Sequence, residues 1–147
     1  MVQDPNNPRQ LPFDWKFYTF YREVGIILQI SRGNRKSTPK AKYYDSLWQN
    51  AGRVRGGFKL EDSLPGPNDP TRLLEAAKMI SKSVRFPFCR VDLYEDNNGP
   101  LLGEVTAYPS GIKESFRSDI DELMGRLWER ALSNLFIEDG WDQRRRY

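Results

Sequence analysis

Histidine is missing from this chain of 147 residues, and cysteine occurs once, at Cys89. Without histidine there is no Ser-His or Cys-His catalysis and no His-ligated zinc or haem. A single cysteine cannot close an internal disulfide, which fits a reducing cytoplasm. No apolar run approaches the roughly 20 residues of a membrane-spanning helix. The opening MVQDPNNPRQLP is polar and proline-rich, unlike a signal peptide or an anchor. A dominant charge is lacking too. Lys and Arg number 23 against 20 Asp and Glu, a net +3 that permits an anionic ligand without the basic stripe expected of a nucleic-acid binder. There is no internal repeat. What remains open is chemistry based on carboxylates, Lys, Arg, hydroxyls or a hard metal ion.

The length suits one domain with its own core, and an aromatic share of 13% favours sheet over an all-helical bundle. Residues 1–12 are expected to be a flexible lead-in, 13–140 a single lobe, and 141–147 a frayed tail. WKFYTFYR (15–22) and VGIILQIS (24–31) have the composition of two strands joined by a tight turn near Glu23 and Gly25. A loop follows over 32–42, with no acid and five bases: Arg32, Arg35, Lys36, Lys40 and Lys42. Most of it is expected to be solvated, with Arg32 the residue that matters. YYDSLW (43–48) is a helical turn or a docking segment, and 51–68 is irregular.

Asp69-Pro70 opens a helix, because Asp is a favoured N-cap and Pro is tolerated at the first helical position. Leu73, Ala76, Ala77, Ile80 and Val84 give it one buried face. A second helix is expected from about Ser118 to Phe136. Its stripe is Ile120, Leu123, Met124, Leu127, Trp128, Ala131 and Leu135, and Ser118 with Asp121 has capping-box spacing. The fold class is therefore α+β: an antiparallel sheet of at least four strands, two helices on one face, and the functional face opposite.

Between the helices, residues 86–111 alternate as a hairpin around the turn EDNNGP. Cys89, Val91 and Leu93 point towards the helices, and Phe88, Arg90, Asp92 and Tyr94 point away. Pairing symmetric about Asn98 sets Asp92 opposite Glu104, Arg90 opposite Thr106, and Tyr94 opposite Leu102. Two carboxylates so placed lie roughly 5 Å apart at Cβ and repel unless a proton, a basic side chain or a cation intervenes. A hard divalent cation, Mg²⁺ above all, suits this oxygen set, with Thr106 as a third donor and Arg90 suited to a phosphoryl oxygen. A solvated, salt-bridged polar face is the plainer alternative. Cys89 reads as a small core hydrophobe, Trp128 and Met124 as helix core, and Trp15 and Trp48 as core or cleft lining. Ser110-Gly111 reads as a turn near substrate or only a turn.

Arg90–Tyr94 (RVDLY) and Gly103–Thr106 (GEVT) resemble the closing hairpin of the ATP-grasp ligases, and within them the TupA-like group of teichuronopeptide and surface-polysaccharide clusters. FDWKFYTF (13–20) resembles that group's D-Y-K-F-x-x-F strand, and YYDSLW its Y-D-x-x-W. The matches run in order over residues 13–111. The resemblance implies ATP and Mg²⁺ as cofactors. Asp92 and Glu104 would be metal ligands, joined by Thr106 where the family usually has Asn. Arg90 would steady the transferred phosphoryl group, Lys16 would bind nucleotide phosphate with Asp14 orienting it, and Arg32 would contact phosphate.

Nothing before Phe13 resembles the family's first lobe, with its lysine strand and Gly-rich loop, so the resemblance is to the C-terminal half of the domain. It implies a carboxylate–amine or related ligase working through an acyl phosphate, in cell-surface polysaccharide or peptide-polymer synthesis, and incomplete as a lone chain. Partners would be a nucleotide, a carboxylate substrate, a nucleophile, and a complementing N-terminal lobe or a second copy. The alternatives are a non-catalytic remnant used as an interaction module and, less favoured, a basic nucleic-acid-binding module built on loop 32–42.

Overall fold

The computed structural model describes residues 11–33, 37–107 and 115–139. The expected lead-in as far as residue 10, Arg35, Lys36, the Ser110-Gly111 turn and the tail 141–147 lie outside them. Six strands form one sheet: β1 (Asp14–Phe20), β2 (Glu23–Ser31), β3 (Lys40–Tyr44), β4 (Lys59–Leu60), β5 (Cys89–Asp96) and β6 (Gly99–Thr106). Helix α1 (Pro70–Val84) precedes β5, and α2 (Ser118–Asp139) follows β6. The sheet order is β4-β3-β2-β1-β5-β6. Every pairing is antiparallel except that of β4 on β3.

Strands β1 and β2 lie at the centre and are buried almost throughout, as expected of strands covered on both faces. Their turn is Tyr21-Arg22, both at positive φ (36° and 74°), so the first strand ends two residues earlier than its composition suggests. Gly25 is not in the turn. It is the extra residue of a bulge, left over where Tyr18 pairs with Ile26 but Thr19 pairs with Val24. A Cβ there would lie 3.1 Å from both Leu127 Cδ1 and Phe20 Cε2, so the missing side chain lets α2 approach the sheet.

The two helices cover opposite faces. Leu73 and Ala77 of α1 pack on Trp15, Phe17, Ile27, Cys89, Val91 and Leu93. On the other face Ile120 of α2 packs with Tyr18, Ile26, Leu28 and Tyr43, and Leu127, Ala131 and Leu135 pack with Phe20 and Tyr21. The expectation of both helices on one face thus holds for α1 only. An amphipathic stripe specifies that a helix buries a side, not which side of a sheet receives it. Trp128 is also off the buried stripe, at 41% exposure.

Asp69 caps α1 as expected, its Oδ1 accepting from Arg72 N at 3.0 Å. At α2 the Arg117 carbonyl accepts the first helical bond, from Asp121 N at 2.9 Å, so Ser118 is the first residue inside the helix rather than its cap. In YYDSLW the two tyrosines end β3 and Asp45 to Trp48 form a docking turn. Asp45 Oδ1 accepts from the amides of Leu47 and Gln49, and Trp48, at φ 63°, turns its indole against Trp15, Phe17 and Tyr44. The left-handed backbone of Trp48 costs about 1–2 kcal/mol, offset by those ring contacts. Among the described residues, no helix is long and apolar enough to cross a membrane.

Candidate functional site

Alternation sends Asp14 and Lys16 of β1, and Arg90, Asp92 and Tyr94 of β5, to the face opposite α1. Pairing brings them together across strands: Lys16 faces Asp92, and Asp92 faces Glu104 on β6. Arg90 lies between Tyr18 and Thr106 in the next row. The expected Asp92–Glu104 and Arg90–Thr106 pairs are therefore present. Tyr94 departs from expectation, pairing with Leu101, because a bulge after Asp92 sets Leu93 opposite Leu102 and leaves Gly103 over.

Five of the seven candidate residues form one ionic network. Asp14 and Asp92 are almost fully buried, at 2% and 3% exposure, so their charges must be matched locally. Lys16 Nζ lies 2.5 Å from Asp92 Oδ2 and 3.0 Å from Asp14 Oδ2. Arg90 grips Asp92 with both ends of its fork, Nε to Oδ1 at 2.7 Å and Nη2 to Oδ2 at 2.9 Å. Arg32, just beyond β2, reaches Asp14 Oδ2 at 3.2 Å. Glu104 and Thr106 stand beside this network without joining it. Glu104 is exposed, and Thr106 Oγ1 is buried with no hydrogen-bond partner among the described residues, as is Asp14 Oδ1. The loop expected over 32–42 ends earlier, because Lys40 and Lys42 stand on β3, where Lys40 pairs with Glu61 and Lys42 donates to the Asp62 carbonyl. Of the described bases in that stretch Arg32 alone reaches the site.

Residues 3–129 match the sequence pattern of the family described as TupA-like ATPgrasp. The chain belongs to the TupA-like ATP-grasp family. No curated protein matches it by sequence. Among solved structures it is similar to the ATP-grasp ligase PsnB complexed with minimal precursor, at 10% identity and a TM-score of 0.42, covering 86% of this chain and 36% of that one. The same ligase complexed with a phosphomimetic variant of the precursor, Mg and ADP matches at 10% identity and a TM-score of 0.42, covering 88% of this chain and 35% of that one. The chain thus spans about a third of the length of these ligase structures.

All seven candidate residues fall within the stretch that carries ATP-grasp membership. The oxygen donors on this face suit a hard cation, since Asp92, Glu104 and the hydroxyl of Thr106, unpartnered among the described residues, occupy adjoining rows. No group of three or more acidic, cysteine or histidine side chains able to hold a metal occurs among the described residues. A cation here would need further oxygens from a ligand such as a polyphosphate.

Tyr94 belongs to the same site of this ATP-grasp chain. Burial first, then the charge of Asp14, pushes its phenol above the usual tyrosine range, with Lys16 and Arg32 opposing. Its ring occupies the space beside Gly103, where a Cβ would lie 2.6 Å from Tyr94 Cε2. Alternation alone assigns Tyr94 to this face; its seat over the bulge has no sequence signal beyond the glycine. Cys89 lies on the opposite face, buried against Thr19, whose hydroxyl donates to its carbonyl at 2.7 Å. Burial raises the Cys89 thiol, in keeping with a core role.

Proposed function

We propose that this chain supplies the metal- and phosphate-binding face of an ATP- and Mg²⁺-dependent ligase that joins a carboxylate to an amine or related nucleophile. The observation that carries the reading is the gathering of Lys16, Arg32 and Arg90 around two buried carboxylates, one of which, Asp92, faces Glu104. Asp92, Glu104 and Thr106 would hold Mg²⁺, which supplies charge neutralisation at phosphate oxygens. Lys16 and Arg32 bind the nucleotide phosphates. Asp14, accepting from both, fixes their positions. Arg90, opposite Thr106 and one row from Asp92 and Glu104, steadies the phosphoryl group passing to the substrate carboxylate, which makes that carboxyl reactive towards the nucleophile. Catalysis of this kind rests on positioning and electrostatics.

Family membership supports a ligase acting in the cytoplasm on a cell-surface polysaccharide or peptide polymer. One sheet face contacts a nucleotide from one side only. We therefore expect weak Mg·nucleotide binding by this chain alone, and turnover when a complementing N-terminal lobe is supplied. Titration calorimetry with Mg·ADP tests the reading. The wild-type chain should release heat that is lost in Asp92→Asn and reduced about tenfold or more in affinity in Glu104→Gln. A flat titration with the folded wild-type chain would leave the face as a non-catalytic interaction surface.

A further inference from the structure

We propose that the Lys16 ammonium is a built-in counter-ion that keeps free divalent cations off Asp92. The proposal rests on the metal reading of Asp92 given above, and it concerns the state of the site before a nucleotide arrives. Lys16 Nζ lies between two nearly buried carboxylates, 2.5 Å from Asp92 Oδ2 and 3.0 Å from Asp14 Oδ2. That is the electrostatic position a bridging cation would take. Arg90 engages both oxygens of Asp92 as well. A bare Mg²⁺ or Mn²⁺ would therefore have to break charge-assisted hydrogen bonds and settle among Lys16, Arg32 and Arg90. Glu104, exposed and on the edge strand, cannot offset that repulsion by itself.

Phosphate changes the balance. Its oxygens offer Lys16 and Arg90 new acceptors, and the two cations can exchange Asp92 for phosphate without losing a charged partner. Lysine suits this exchange better than arginine, being a single point charge on a flexible stem. The Lys16 side chain is 12% exposed, so it reaches the solvent-facing side of the network. Metal and polyphosphate then bind with positive coupling, and the coupling is reciprocal by thermodynamic necessity.

Electron spin resonance of Mn²⁺, which reports the free aquo ion, separates the possibilities using Mn²⁺ alone and Mn²⁺ with ADP. Wild type should leave Mn²⁺ alone free. Lys16→Met should take it up about tenfold or more tightly, and the double variant Lys16→Met with Asp92→Asn should not. Lys16→Arg, which keeps the charge, should still exclude the metal. Lys16→Gln carries the same test should the methionine variant fail to fold, as judged by near-ultraviolet circular dichroism. The proposal is overturned if wild type binds Mn²⁺ alone as tightly as Lys16→Met, or if folded Lys16→Met and Lys16→Gln gain nothing. The ADP arm tests the underlying reading separately. Uptake of Mn²⁺ with ADP by wild type, without a gain in Lys16→Met for the metal alone, rejects the counter-ion and keeps the nucleotide site. A gain in Lys16→Met with no effect of ADP on wild type keeps the counter-ion and rejects the nucleotide site.

Discussion

A Cβ at Gly103 would lie 2.6 Å from Cε2 of Tyr94 and 3.3 Å from the Asp92 carbonyl oxygen. Either the tyrosine ring or the bulge must move to admit it. Gly103→Ala is expected to cost about 1–3 kcal/mol, the usual range for overpacking, read as a lower urea midpoint. The cost should shrink when Tyr94 is also cut to Leu, because the clash is with the outer ring atoms. This pair also marks where residue-level reading stops. Counting outward from Asn98 gives Asp92 its partner Glu104 because that row lies beyond the bulge, whose spare Gly103 makes up for a turn centred between Asn97 and Asn98. On the turn side of the bulge the strands pair in step with that two-residue turn, and Tyr94 meets Leu101 instead of Leu102. A glycine in a strand hints at a bulge, but does not say on which side of it the register is kept.

At the scale of elements, β5 carries Asp92 and also fastens the start of α1. Glu95, 8% exposed, accepts from the amides of Asn68 at 3.0 Å and Asp69 at 2.9 Å. Asp69 in turn accepts from Arg72 N. Asp69→Ala should cost about 1 kcal/mol, the ordinary value of an N-cap. Glu95→Ala should cost more, because it removes two amide bonds to a carboxylate, each worth about 1.5–3 kcal/mol. Thermal midpoints of the two variants would check the order. If Asp69→Ala proves the costlier, the Glu95 bonds add little to stability. The helix itself is legible in Asp69-Pro70 and the spacing of Leu73 and Ala77. Its tie to Glu95 is not, because the two residues are joined only once β5 has been laid down beside α1.

For the whole molecule, alkaline pH is the informative variable. Burial raises the phenols of Tyr44 and Tyr94 and the thiol of Cys89 above their ordinary ranges. Tyr44 also donates to Gln29 Oε1 at 3.0 Å inside the fold. In the unfolded chain these groups lose their protons nearer the ordinary values, about 8.5 for Cys and 10 for Tyr. Their contribution to stability is complete below those values and falls as pH rises towards the raised values in the folded state. The thermal midpoint should therefore drop between about pH 9 and 11, and Tyr94→Phe should flatten the decline. A midpoint level to pH 11 would contradict the burial of these groups. The assembly at this scale is the least legible in sequence. Asp14 and Lys16 sit more than seventy positions before Arg90 and Asp92, and no local pattern says that β1 and β5 are neighbours. Family resemblance selects those residues together, whereas periodicity only assigns each to a face.

The first four residues of strand β1 divide between two tasks. Asp14 and Lys16 face the ionic network, while Trp15 and Phe17, the residues between and beyond them, anchor the aromatic packing under α1. Inheritance along this segment is therefore read in two alternating registers, one constrained by ligand chemistry and the other by volume. A copy that lost its activity could let the first register drift while the second stayed fixed. Trp15 and Phe17 would go on spelling the fold after Asp14 and Lys16 had ceased to spell the reaction.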